Sequence, residues 1–432
     1  HADVGDASND AVRVDATEVR ARVLGEGGNL GFTQWARVEY SLRGGRCNTD
    51  AIDNAGGVNL SDHEVNLKIL AQPSLARGSL SLEDRDALLE NAAGAVTDAV
   101  LAANRDQSRA LSLEWLRAQR QQADFRDLMT HLGRRGTLDR ALEFLPDSED
   151  LKDRATAGQT LTRPELAVLL AYAKMDLKQE ILASSLPDDP ALVTLLHAYF
   201  PAAALERVGA ATLEAHPLRR QIITTVLTNR AVDRMGCTFA FRVARDGRVP
   251  PSGGVRAWFA AAEIAGLEDL SARIRELESA LPASVEYAWW LDVEDSLERA
   301  TRWIADHLSD AGRIETIVDL YRGPVAEVQQ RLEDVLAESQ RGALEYPMQA
   351  PGGDGDGAGR VVAERVARLR YLDECLEIAR LARELGLGPV DVAGAYYRLG
   401  AAIDLPWLAQ QLALQADDDA WSRRARQNLI RD

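Results

Sequence analysis

Cysteine and lysine are scarce in this chain of 432 residues, and long apolar runs are absent. The three cysteines, Cys47, Cys237 and Cys375, lie too far apart for a disulfide framework or a CxxC zinc pattern, which suits a reducing compartment. Only four lysines occur, Lys68, Lys152, Lys174 and Lys178, so nearly all positive charge is arginine, which serves neither as a Schiff-base amine nor as a general base. No apolar run approaches the roughly 18 residues needed to cross a bilayer, and the start has neither a basic nor an apolar leader segment. No membrane role and a cytoplasmic location are therefore expected. The net charge of −17 argues against nucleic acid as a partner, because phosphate binding needs a concentrated basic surface.

Several stock catalytic patterns are missing as well. There is no G-x-S-x-G elbow, no HExxH and no GK[ST] phosphate loop. GEGGNLG, Gly25 to Gly31, lacks the last glycine of the dinucleotide fingerprint, since Leu30 stands there, and from the glycines alone a tight strand-to-loop turn is the favoured reading. DNAGGVNLSDHE, Asp53 to Glu64, offers Asn54, Ser61, Asp62, His63 and Glu64. Acidic residues in the first turn of a helix starting at Ser61, with Ser61 as its cap, account for that cluster without a metal. His131, His197, His216 and His307 have no partners at ligand spacing.

What is present is a globular composition, 46% hydrophobic and 27% charged, on a chain long enough for two or three folding units. It opens at His1 without an initiator methionine, so a segment of a longer polypeptide is expected. Residues 11–70 read as an α/β sheet edge, with alternating apolar and polar residues up to Gly25 and a hairpin around Arg43-Gly44-Gly45. From about residue 80 the period is helical. Thr162 and Glu165 predict a capping box, with Pro164 in the first turn and Leu166, Leu169, Leu170, Ala173, Leu177 and Ile181 on one face. Further helices are expected over Pro217–Met235, stopped by Gly236, over Val361–Leu385, stopped by Gly386, and within 262–281 and 296–310. Cys237–Val243 alone reads as strand. Gln349 to Arg360 is a Gly-rich loop; its Asp354-Gly-Asp356-Gly lacks a third acidic calcium ligand, and Arg365 occupies the twelfth position.

The two glycine-rich loops gain meaning together. EGGN, Glu26 to Asn29, and DAIDNAGGVNLS, Asp50 to Ser61, resemble the EGAN and D-x-x-x-NAGGV-x-x-S segments of glutamate dehydrogenases. The surrounding text is similar to the large, NAD-specific class of that family, as are LTRPELAVLLAYAK, SLPDDP and HPLRRQIITTVLTN. The resemblance covers essentially the whole chain. It implies a part of an enzyme that oxidises L-glutamate to 2-oxoglutarate and ammonia by hydride transfer to NAD. Gly28 and Asn29 would then face the nicotinamide ribose, and Asn54 the nicotinamide end of the cleft. Val58 would line the glutamate side chain, and Ser61 would donate its hydroxyl to the distal carboxylate.

Two departures from the family pattern stand out. The hexameric relatives have a helix between the motifs, where Arg37–Asn48 reads as a hairpin. The family's catalytic lysine and aspartate, and its phosphate-binding glycines, match nothing in this chain and are expected upstream of His1. The implied fold is mainly α: residues 1–75 as the end of a Rossmann-like dinucleotide-binding domain, then residues 76–432 as a large all-α domain. Expected partners are glutamate or 2-oxoglutarate, upstream domains of the same polypeptide, and further copies in a homo-oligomer. The alternative is a non-catalytic helical regulatory or oligomerisation module, and without the two loops the text reads as an acidic helical scaffold.

Overall fold

The computed structural model describes residues 10–247, 249–308, 312–345, 357–405, 407, 408 and 411. Among them no strand forms; the β-like text near the start closes a single parallel bridge between Val23 and Arg46. The chain divides into two compact units, His1–Ala183 with Leu192–Thr238, and Ser184–Ala191 with Phe239–Asp432.

In the first unit the predicted hairpin is instead a helix, α1 (Gln34–Leu42), with Thr33 as cap: its Oγ1 accepts the Ala36 amide at 3.2 Å. Val38 and Tyr40 are buried, Tyr40 against Ala16 and Cys47, so tertiary burial overrides the strand-favouring alternation. The expected departure from the family's helix between the motifs disappears with it. After a short α2 (Asp50–Asp53) comes α3 (Ala55–Ala76), which therefore begins six residues before Ser61 and leaves that serine inside the helix rather than at its cap. The core face of α3 starts only at Leu67, continuing through Leu70, Ala71 and Ser74, and its first turns expose Gly57, Val58, Leu60, Ser61 and Asp62.

Ser81 and Asp84 form a reciprocal capping box at the start of α4 (Leu82–Ala118), 37 residues long, or about 55 Å at 1.5 Å per residue. Leu88, Ala92, Val96 and Val100, four residues apart, bury one stripe of it, and α3 packs along it. After α5 (Gln122–Arg134) and α6 (Ser148–Thr156), α7 (Arg163–Ala183) starts where Thr162 and Glu165 predict. Glu165 accepts the Thr162 amide at 2.7 Å and also the Thr162 hydroxyl, and the buried carboxylate is neutralised by Arg154 at 2.8 Å. All six predicted apolar positions of α7 are buried.

The second unit is built on the Ala283–His307 helix, whose Trp289, Trp290, Val293, Leu297 and Ile304 are all buried. Pro251–Ala265 and Ile314–Gln330 belong to the same unit, with Pro251–Ala265 packed on both of the others. Three expectations are corrected in this part of the chain. Cys237–Val243 is not a strand, because a helix runs over Phe239–Asp246. The helix expected within 262–281 is interrupted by Gly266 in the left-handed conformation, φ 63°, and resumes as Leu267–Leu277. The helix expected over Val361–Leu385 is two, Gly357–Leu369 and Leu372–Leu385, and the freed carbonyl of Arg370 accepts from Arg299 at 2.8 Å. Gly386, φ 67°, ends the second as predicted. Residues Gln349–Asp356 of the Gly-rich loop lie outside the described residues, and Gly357–Arg360 already belong to a helix.

Within this unit burial, and then the neighbouring Asp373 carboxylate, push the Glu374 carboxyl up to about 7, with Tyr397 and Arg299 opposing in part. A carboxyl raised in the folded state costs no stability while protonated in both states, and stability falls as pH rises from its ordinary value towards about 7. Glu374→Gln is therefore expected to melt near wild type at pH 5 and above it at pH 8. A difference in melting temperature that stays constant over that range would contradict the assignment.

Candidate functional site

The first loop, Glu26 to Leu30, and the start of the second motif, which forms Asn48 through α2 to Asn54, are held together by buried charge. Glu26 and Arg37 are 5% and 7% exposed, and the guanidinium grips the carboxylate with two hydrogen bonds of 2.6 and 2.7 Å. Arg37 also pairs with Asp50 at 3.2 Å. Asp50 accepts the Leu30 amide at 2.9 Å, and Asp53 accepts the Glu26 amide at 3.1 Å. Burial works against the Asp50 charge, but the Leu30 amide and Arg37 outweigh it and hold its carboxyl below the usual carboxylate range.

Leu30, the residue that breaks the glycine fingerprint, has a left-handed backbone, φ 59°, which its Cβ disfavours by about 1–2 kcal/mol. Asp50 supplies the contact that stabilises it there. Between these pinned amides stands Asn29, whose Oδ1 accepts from Asn54 Nδ2 at 2.6 Å. Asn54 is the hinge residue between α2 and α3, and Val58 and Ser61 follow at four and seven residues, both exposed. Four and seven are one helical face, so Asn54, Val58 and Ser61 share a side of α3. Val58 is 67% exposed, and the Ser61 hydroxyl has no hydrogen-bond partner among the described residues.

The glycines separate into two kinds. A Cβ at Gly56 would sit in ordinary van der Waals contact with Asn104 and Val100 of α4, at 3.6 and 3.7 Å. At Gly27, Gly28 and Gly57 a Cβ would meet nothing within 4 Å, and none has a positive φ. Neither packing nor backbone conformation within the described residues asks for glycine at those three positions.

The remaining candidates fall elsewhere. His63 stacks on Tyr199, ring centres 4.2 Å apart, and burial keeps its imidazole below its ordinary value, which favours the neutral form. Lys68 is exposed and paired with Glu64 one turn back at 2.5 Å. No group of three metal-binding side chains occurs among the described residues. A cavity of about 660 Å³ lies in the second unit beside Gly266, but its arginines Arg322, Arg365 and Arg368 are each already paired with a carboxylate.

Sequence reading singled out Gly28, Asn29, Asn54, Val58 and Ser61, and missed the residues that support them: Glu26, Arg37, Asn48, Asp50, Asp53 and Arg163. Asp50 and Asp53 lie within the second motif and were within reach as hydrogen-bond acceptors for a turn. Arg163, 115 residues away from Asn48, carries no local signal.

Comparison with known proteins agrees with the motifs. Residues 158–432 match the family model for the glutamate dehydrogenase C-terminal region, and residues 1–114 match that for the catalytic domain of bacterial NAD-glutamate dehydrogenase. An NAD-specific glutamate dehydrogenase of Pseudomonas aeruginosa is 39% identical over 99% of this chain; those of Halomonas elongata and Mycobacterium tuberculosis are 37% and 36% identical over 100% and 98%. The chain spans 26% of the length of each of these relatives. With a family match over more than half its residues, the chain belongs to the glutamate dehydrogenases and corresponds to part of the length of their NAD-specific members.

Proposed function

We propose that the polypeptide containing this chain oxidises L-glutamate to 2-oxoglutarate and ammonia with NAD, and that this chain supplies one wall of the pocket. The observation that carries the reading is the 2.6 Å hydrogen bond between Asn29 and Asn54, which unites the two loops beside the exposed face of Val58 and Ser61. Gly28 and Asn29 then approach the nicotinamide ribose, and Asn54 the nicotinamide end. The open space around Gly27, Gly28 and Gly57 supports this, since glycine there admits a ligand close to the backbone. NAD, when bound, supplies the hydride acceptor. The neutral amides orient it without adding charge beside the reacting carbon.

Val58 lines the aliphatic part of the substrate, and the Ser61 hydroxyl donates to its distal carboxylate. Ser61→Ala in the full-length enzyme is expected to raise KM for 2-oxoglutarate by roughly 10- to 100-fold, the worth of a hydrogen bond to a charged group. An unchanged KM would remove Ser61 from the pocket. The lysine and aspartate that move protons in the family are assigned to the rest of the polypeptide. Residues 1–75 are read as the end of the Rossmann-like catalytic domain and residues 76–432 as a helical domain of a cytoplasmic homo-oligomer.

One observation favours an additional assembly role for the helical domain. Leu399, Ile403, Leu405 and Trp407 expose 47–65% of their surface within nine residues. The test of the shared pocket is NADH oxidation with 2-oxoglutarate and ammonium, run on this chain and on the full-length polypeptide. Turnover only in the latter supports the shared pocket; turnover by the chain alone overturns it and makes Lys68 the residue to replace.

A further inference from the structure

Arg163, the first residue of α7, spreads its guanidinium over three acceptors. Nε donates to Asn48 Oδ1 at 3.0 Å, Nη1 to Ser112 Oγ at 2.9 Å, and Nη2 to the Ser108 carbonyl at 3.3 Å. Ser108 and Ser112 are one turn apart on α4, so the fork ties that helix to the segment between α1 and α2. Asn48 passes the contact on, since its Nδ2 donates to Asp53 Oδ1 at 2.7 Å while Asp53 Oδ2 accepts the Glu26 amide. Glu26 is gripped by Arg37, and Arg37 pairs with Asp50, which accepts the Leu30 amide. The relay therefore starts in the region matched by the C-terminal family model and ends on both sides of Asn29.

We infer that Arg163 is a positioning residue for the two pocket loops: by holding Asn48, and Asp53 through it, it keeps Asn29 and Asn54 within hydrogen-bond reach. The inference rests on the pocket assignment made above. The planar fork suits the task, because one rigid group satisfies three acceptors on two elements, which the flexible ammonium of lysine does not reproduce. Hydrogen bonds in such a chain reinforce one another, so the effect of Arg163 reaches amides it does not touch.

The test uses the full-length enzyme with Arg163→Ala, Asn48→Ala, the double variant, and Ser112→Ala as a control that keeps the Asn48 bond. Two quantities are read: hydrogen exchange of the peptide spanning residues 24–31, and the NADH dissociation constant by fluorescence titration. Arg163→Ala is expected to speed exchange at Glu26 and to weaken NADH about 3- to 10-fold, the range for one lost hydrogen bond, with kcat changing less than KM. The double variant is expected to be no worse than the weaker single one, and Ser112→Ala to stay within about twofold of wild type. Arg163→Lys, which keeps the charge, is the variant to use if alanine prevents folding, and an intermediate effect is expected. Unchanged exchange in the Arg163 variants overturns the inference. Faster exchange with unchanged NADH affinity, in these variants and in Asn54→Ala alike, upholds the clamp and overturns the pocket assignment instead.

Discussion

On the proposed pocket, Arg37→Ala in the full-length enzyme is expected to lower kcat/KM about 10²-fold, because displacing the two loops by about an ångström would misalign the coenzyme assigned to them. The same change leaves the Glu26 carboxylate buried without its partner, a situation that costs about 3–5 kcal/mol. Thermal unfolding of the first unit should therefore shift down together with activity. Arg37→Lys retains the charge but not the two-pronged grip, and is expected to recover only part of either loss. Activity and melting both near wild type in Arg37→Ala would show that the buried pair does not set the loops. An activity loss without any change in melting would point to direct contact between Arg37 and substrate.

Gly236→Ala is expected to damage the fold to a comparable extent. Gly236 follows the Arg219–Met235 helix at φ 86° and ψ 164°, a region essentially reserved for glycine and costing other residues of order 1–3 kcal/mol. A Cβ there would also collide with the Glu114 carboxylate and lie 2.6 Å from Arg117 Nη1. Neither neighbour can yield easily. Glu114 is fully buried, pairs with Arg117, and accepts a hydrogen bond from the Cys237 thiol at 2.8 Å. Burial and then the Glu114 charge push that thiol well above its ordinary value, so it stays protonated as the donor. A destabilisation of at least about 3 kcal/mol in denaturant unfolding is expected, since a buried ion pair must be disturbed as well. A variant that unfolds with wild type would mean that the site relaxes without cost.

The sequence carried the helices whose ends are chemically marked and whose apolar faces are continuous, as in α7 and Arg219–Met235. It failed where a local pattern was ambiguous and a distant contact decided. Residues 34–42 alternate well enough for a strand, but the Thr33 cap and the burial of Val38 and Tyr40 make them a helix. The apolar period runs on through Arg370 and Tyr371, and at the break the Arg299 guanidinium on another helix donates to the freed Arg370 carbonyl. The five predicted pocket residues owe their selection to motif resemblance, and geometry adds what motifs omit. Asn29 and Asn54 touch, while the cations that help bring them together, Arg37 and Arg163, sit outside both motifs.

The bond from Arg163 to Asn48 also orders events during synthesis. Asn48 leaves the ribosome 115 residues before its clamp does, and the first loop earlier still, which at 5–20 residues per second is a delay of at least roughly 6–23 s. Over that interval Arg37 and the carboxylates around it can already pair, since all lie within residues 26–53, but Asn48 has no guanidinium to meet. The loops thus lack the Arg163 contact until the start of α7 has emerged, and a nascent chain stalled before residue 163 is expected to expose them to proteases in an unclamped form.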